Sequence, residues 1–204
     1  MAYLNIDRNE CIGDSLSKIN SNASNFDARL STLANTDTSI TTAINNLSAQ
    51  LVPVGATCIF QDQKSSGSSG GTSPSTAGWL KRTLNNTLVD TDNLRTINDN
   101  QFTLPAGTWL IQARVPCYEV SNAQARIVDT AGPTYYYGMT NYADNGGPVI
   151  ELTAVATVTI PPGTTKTFYI DQYLDRTNVT YGLGYPNSIG VDEIYTTVVC
   201  IKIR

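Results

Sequence analysis

Residues 12–51 read IGDSLSKINSNASNFDARLSTLANTDTSITTAINNLSAQL, and their apolar spacing decides the architecture. With Leu16 placed at heptad position a, that position holds Leu16, Ala23, Leu30, Asp37, Ile44 and Leu51, and position d holds Ile12, Ile19, Phe26, Leu33, Ile40 and Leu47. Only Asp37 interrupts the 4-3 alternation. A helix folded onto its own domain keeps a period nearer 3.6 and drifts off a strict heptad, so the spacing predicts a coiled-coil stalk rather than a surface helix. Such a seam buries nothing alone and requires copies of itself. Leu at several a positions with Ile or Leu at most d positions favours more than two strands, and the expectation is a parallel homotrimer. The side chains assigned to trimerisation are Leu16, Ile19, Ala23, Phe26, Leu30, Leu33, Ile40, Ile44, Leu47 and Leu51. At about 1.5 Å per residue the stalk would be on the order of 55 Å long.

Pro53 ends this period, because it lacks a backbone donor and biases Val52 away from helical geometry. Beyond it the apolar pattern alternates. Strands are expected at Val54–Gln61, Trp79–Leu84, Gln101–Leu104, Thr108–Val115, Ala125–Val128, Thr134–Tyr142, Val149–Ile160, Lys166–Tyr173, Val179–Leu183 and Ile194–Ile203. Pro105-Ala106-Gly107 reads as a hairpin turn, and Ala131-Gly132-Pro133, Gly146-Gly147-Pro148 and Pro161-Pro162-Gly163 read as further turns. The run Ser65–Gly78 (SSGSSGGTSPSTAG) is expected to be a flexible loop. Many short strands with Gly and Pro punctuation indicate a sandwich or barrel, here an antiparallel jelly roll. The organisation is an N-terminal segment over residues 1–13, a stalk over 14–52 and a β head over 53–204.

The run Gln101-Phe102-Thr103-Leu104-Pro105-Ala106-Gly107-Thr108-Trp109-Leu110-Ile111-Gln112-Ala113 carries a resemblance. It is joined by Arg82-Thr83-Leu84-Asn85, Gln124-Ala125-Arg126-Ile127, Glu193-Ile194-Tyr195-Thr196-Thr197-Val198 and Ile201-Lys202-Ile203. In that order these pieces resemble C-terminal heads of tailed-bacteriophage fibre and virion proteins, and the F-x-L-P-A-G-x-W element is similar to that of trimeric C1q and tumour-necrosis-factor-like jelly rolls. The resemblance covers roughly residues 54–204. Ala123 stands where that family usually has a histidine, so no role of an imidazole carries over. The resemblance implies a homotrimeric virion component, assembled in the host cytoplasm, whose β heads point outward. Phe102, Leu104, Trp109 and Ile111 are expected to be core rather than ligand contacts.

Composition excludes several other functions. Lys and Arg number 13 against 17 Asp and Glu, a net charge of -4, which disfavours a sequence-independent grip on nucleic acid. No run of about 18 apolar residues suggests membrane insertion. The chain has no histidine, which removes Ser-His-Asp, Cys-His and metal-His constellations. Cys11, Cys58, Cys117 and Cys200 have no paired metal-binding spacing. Cys58, Cys117 and Cys200 are expected to be buried thiols, with a Cys58–Cys200 bridge left open if the first and last strands pair. Asp90-Thr91-Asp92-Asn93-Leu94 lacks the glycine and terminal glutamate of a helix-loop-helix calcium site. No catalytic residue, cofactor or metal is expected.

Tyrosine is the commonest aromatic, 11 residues against 4 Phe and 2 Trp. An exposed Tyr offers a flat apolar face and a hydroxyl at small entropic cost, so Tyr135, Tyr137, Tyr142, Tyr181 and Tyr185 are the expected ligand contacts, with Tyr136 turned to the opposite side of its strand. Tyr3, Leu4 and Ile6 are the apolar anchors available to hold other virion proteins. The chain thus reads as a short trimeric fibre protein attached by its N-terminus and presenting heads to host-surface glycan or protein. The alternative is a purely structural head-fibre, capsid-decoration or baseplate protein that binds no receptor.

Overall fold

The computed structural model describes residues 12–50, 55–91, 97–132, 134–177 and 179–204, with residues 12 and 45–50 described by their backbone alone. The proposed anchors Tyr3, Leu4 and Ile6, Cys11, the seam residue Leu51, the Leu47 side chain and Asp92–Leu94 lie outside this description. The chain divides into two compact units, residues 1–49 and 50–204.

In the first unit the helix α1 runs from Ile12 to Gln50. Its interior is rich in Ser and Thr, which are indifferent helix formers. Thr32, Thr36, Thr38, Ser39 and Thr42 each turn the hydroxyl back to donate to the carbonyl four residues earlier at 2.9 Å. That geometry satisfies the hydroxyl without taking the backbone out of the helix. Leu16, Ile19, Phe26, Leu30, Leu33, Ile40 and Ile44 remain 49–66% exposed. No helix among the described residues is long and apolar enough to cross a membrane.

The second unit is built from antiparallel strands: β1 Thr57–Lys64, β2 Gly78–Lys81, β3 Asn86–Asp90, β4 Ile97–Asn98, β5 Gln101–Cys117, β6 Ser121–Asp129, β7 Thr134–Ala143, β8 Ile150–Leu174 and β9 Glu193–Lys202. Hydrogen bonding orders them β3-β1-β9-β5-β8-β6-β7, with β2 on β8 and β4 on β5. β8 pairs with β5 over Ile150–Ile160 and Thr165–Phe168, and its end pairs with β6 over Phe168–Leu174 and with β2 over Asp171–Leu174. The ladder therefore folds back into two layers around one core, the arrangement of a jelly roll. Phe60, Phe102 and Phe168 connect the layers through successive ring contacts at 5.1 and 5.7 Å. At the other side β7 meets the first half of β8 closely enough that a Cβ on Gly138 would lie 2.2 Å from the Thr153 carbonyl oxygen.

Two expected turns are corners inside long strands. Pro105–Gly107 does not close a hairpin, because β5 continues through it with a bulge between Pro105 and Gly107. Before the bulge the even residues Phe102, Leu104 and Ala106 are buried, and after it the odd residues Trp109, Ile111, Ala113, Val115 and Cys117 are. The irregularity thus changes the parity of the strand and keeps both apolar sets in one core. Trp109 secures the corner by donating its indole N–H to the Pro105 carbonyl at 2.9 Å. Opposite it, Pro161-Pro162-Gly163 is the matching corner of β8, whose partners jump from Gly107↔Ile160 to Pro105↔Thr165.

Val179–Leu183 is also not a strand: Gly182 N–H returns to the Val179 carbonyl at 3.1 Å in a tight turn. The first and last strands do pair, and Cys58 stands opposite Cys200 in register, yet both are free thiols, as is Cys117. All three are fully buried. Burial pushes the Cys117 thiol up to about 12, against the opposing pull of Arg82.

Candidate functional site

The strands of the head run between two ends. At one end Gly55 N–H bonds the Lys202 carbonyl and Thr108 N–H the Arg204 carbonyl, each at 2.7 Å. At the other, Lys64 faces Glu193 across β1 and β9, and the segments 65–78, 118–120, 144–149 and 175–192 gather there.

The expected flexible loop at Ser65–Gly78 is instead fastened to the segment 179–193. Gly70 N–H bonds the Gly184 carbonyl, Leu183 N–H the Gly71 carbonyl and Ser73 N–H the Val179 carbonyl, each at 3.0 Å. Ser73 Oγ accepts the Val179 N–H at 2.8 Å, and Tyr195 donates its hydroxyl to the Ser68 carbonyl at 2.6 Å. A Cβ on Gly70 would lie 2.3 Å from the Leu183 carbonyl oxygen, so only glycine allows this approach. Glu193 locks both segments. Its carboxylate accepts the N–H groups of Ser188 at 2.8 Å, Gly67 at 3.1 Å and Asn187 at 3.2 Å, and these bonds hold it below the usual glutamate range.

Beneath the loops lies a buried polar cluster that the sequence reading missed. Alternation along β1 points Asp62 inward with Cys58 and Phe60. Arg82, 1% exposed, donates to Thr196 Oγ1 at 3.0 Å, Gln172 Oε1 at 3.1 Å and the Leu183 carbonyl at 3.0 Å. Its guanidinium is 3.9 Å from Asp62, and Lys64 is 3.8 Å away on the same carboxylate oxygen. Asp62 accepts no hydrogen bond, and burial raises its pKa despite the two cations. Arg82 is drawn down to about 10 by the same burial and stays charged at neutral pH. The arrangement joins β1, β8, β9 and the 183 turn and offers no opening for a substrate.

The expected ligand tyrosines fall into two groups and one separate residue. Tyr135 and Tyr137 project from β7 onto the outer face of the β2-β8-β6-β7 layer, where register places Lys81, Asp171, Arg126 and Tyr137 in one row. There the Arg126 guanidinium lies 3.8 Å from the Trp79 ring centre and 4.1 Å from that of Tyr135. Asp171 Oδ2 accepts Arg126 Nε at 3.1 Å and its terminal nitrogen at 2.7 Å. Trp79 also meets Tyr137 at 5.9 Å and Tyr173 at 5.6 Å. This ladder fixes its own side chains through cation–π and ring contacts while leaving Tyr135, Tyr137 and Met139 exposed. Trp79, Arg126, Asp171 and Tyr173 were not among the expected site residues.

Tyr181 and Tyr185 meet at 4.8 Å in the loop region, with Tyr118 against Tyr185 at 5.2 Å. Tyr142 is exposed further along β7, outside both groups, and Tyr136 turns the other way and packs against the core. A third surface lies at the loop end: an open bowl of about 420 Å3 lined by Gln63, Lys64, Ser65, Asn85, Asn86 and Asp192. Among the described residues no group of three or more His, Cys, Asp or Glu is arranged to hold a metal.

No protein-family model matches the sequence. No curated protein matches it either. Among solved structures, the chain is similar to the globular domain of zebrafish complement 1qA at 14% identity, covering 74% of this chain and 98% of that one, with a TM-score of 0.47. Murine APRIL is similar at 6% identity and a TM-score of 0.48, covering 72% and 98%. The PRD1 vertex protein P5, from a phage, is similar at 14% identity and a TM-score of 0.41, covering 74% and 99%. The fold is mainly antiparallel β with an N-terminal helix, and its solved neighbours are C1q- and tumour-necrosis-factor-like jelly rolls.

Proposed function

We propose that this protein is a homotrimeric virion component, a short fibre whose helices assemble the copies and whose β heads attach to the host surface. The observation that carries the assembly is the uncovered seam of α1: seven large apolar side chains at heptad spacing, each about half exposed or more, on a helix that among the described residues has no other element in its unit. Covering a Leu or Ile contributes about 1.5–3 kcal/mol, so three helices associating along this seam gain far more than any one of them can alone. The virion assignment follows the sequence resemblance of residues 54–204 to phage fibre and virion heads. Attachment is assigned to the aromatic ladder, because Tyr135 and Tyr137 are exposed yet already ordered by Arg126 and Trp79, which lowers the entropic cost of contact. Each head would bind weakly, and three on one particle appendage would bind strongly together.

Sedimentation velocity on the full-length protein tests the assembly, and binding of the labelled oligomer to host cells tests attachment. The expected results are a species of three chains at micromolar concentration and saturable cell binding weakened at least tenfold by Tyr137→Ala. A monomer at that concentration overturns the trimer. An intact trimer that leaves cells unlabelled overturns attachment and favours the purely structural role.

A further inference from the structure

We propose that the bowl lined by Gln63, Lys64, Ser65, Asn85, Asn86 and Asp192 is a binding site for a neutral saccharide, a second surface apart from the aromatic ladder to which attachment is assigned. Every lining residue is polar, and their hydrogen bonds make the floor rigid. The strand β1 shifts register between Gln61 and Gln63, and the Asn85 side chain fills the break. Its carbonyl oxygen accepts Gln63 N–H at 2.9 Å, and its amide donates to the Gln63 carbonyl at 2.8 Å. The Gln63 side chain then donates to Asp192 Oδ2 and accepts from Asn86 Nδ2.

That bonding leaves Asp192 Oδ1, the Asn86 carbonyl oxygen and second amide hydrogen, and the Ser65 hydroxyl available toward the opening. Acceptors and donors fixed side by side suit vicinal hydroxyls, each of which donates to a carboxylate or amide oxygen while accepting from an amide. Lys64 is engaged by Asp62 and by the Ser69 and Gly70 carbonyls. A phosphate or sulfate would meet the Asp192 carboxylate without a free cation in the bowl, which disfavours an anionic ligand. Ile194, opposite Gln63 in register and 44% exposed, is an apolar neighbour of the bowl although it does not line it. The volume lies within the range of small-ligand pockets, and its openness to solvent suits a terminal or branch sugar of a longer chain.

Saturation-transfer difference NMR on the full-length oligomer, with glucose, galactose, mannose, rhamnose and N-acetylglucosamine as probes, tests this site. At least one sugar should receive saturation, and Asp192→Ala and Asn86→Ala should each weaken its binding at least tenfold while oligomer size and near-UV circular dichroism stay unchanged. Saturation of no probe, or binding that both variants retain, would overturn it. The same variants in the cell-binding assay separate the two proposals. Full cell binding by Asp192→Ala and Asn86→Ala leaves attachment standing and removes the bowl from it. A sugar that binds the bowl of a protein unable to label cells leaves the site standing and removes attachment.

Discussion

Along α1 the seam residues from Leu16 to Ile44 stand half to two-thirds exposed, whereas Phe102, Leu104, Trp109 and Ile111 on β5 are all at 0%. Both sets are periodic apolar patterns, one of period 3.5 and one of period 2. The strand pattern is satisfied inside its own unit by β8, β9 and the opposing layer, while among the described residues the helix pattern has no second element in its unit to meet. The head is therefore complete as a fold, and under the proposed assembly the stability of the helix depends on protein concentration.

The sharpest way to break this contrast is to charge the seam. Leu33→Glu combined with Ile40→Glu should convert the oligomer entirely to monomer in sedimentation velocity, while the head keeps its near-UV circular dichroism and its melting temperature within a few degrees. Loss of head structure in that monomer would show that the two units are not independent.

The reverse test empties the core of the head. Trp109→Ala removes the indole and its bond to Pro105 and should cost about 3–5 kcal/mol in denaturant unfolding of the head, with the oligomer still held by its helices. Arg82→Ala should cost a similar 3–5 kcal/mol, because it removes one of the two cations beside the buried Asp62 carboxylate and takes the donor from Thr196, Gln172 and the Leu183 carbonyl. An effect below about 1 kcal/mol would mean that the cluster contributes little to the head's independence.

A smaller effect should appear with pH. The Glu193 carboxylate is held below its ordinary value of 4.5, so its contribution is present above that value and is lost as pH falls through the lowered one. Hydrogen exchange at the Gly67, Asn187 and Ser188 amides should accelerate, beyond its intrinsic pH trend, on acidification below about 4.5. Glu193→Gln should remove that dependence. Asp62 acts in the opposite sense: its raised pKa means that ionisation disfavours the fold, so acid relieves the buried cluster while it loosens the loops. The smallest expected effect is none: reductant should leave the head's melting temperature unchanged, since Cys58, Cys117 and Cys200 are unbonded thiols.

What the sequence made legible divides along similar lines. Heptad spacing and strand alternation are local signals, and the helix and most strands lie where those periods put them. Turn chemistry misled at Pro105–Gly107 and Pro161–Gly163, because the same residues that close a hairpin also permit a strand to change parity at a corner. The Ser/Gly run 65–78 contains no local sign that it is fastened, since its partners at 179–193 are more than a hundred residues away. The aromatic ladder had a partial signal in Tyr135 and Tyr137. Trp79, Arg126 and Asp171 join them only through the register of β2, β8, β6 and β7, which no single segment encodes. Arg82 and Asp62 were hidden by the rule that charges face water, although Asp62 shares the inward parity of Phe60.

The place of β9 between β1 and β5 has a consequence for synthesis. The strand made after all the others supplies the middle of its layer, so β1 and β5 have no common neighbour until residues 193–202 have left the ribosome. Closure of the head therefore waits for residues 193–202, and until they emerge nascent chains carry two unpaired strand edges open to one another. Chaperones have most to guard in that interval, and a chain cut short of residue 193 would carry those edges permanently.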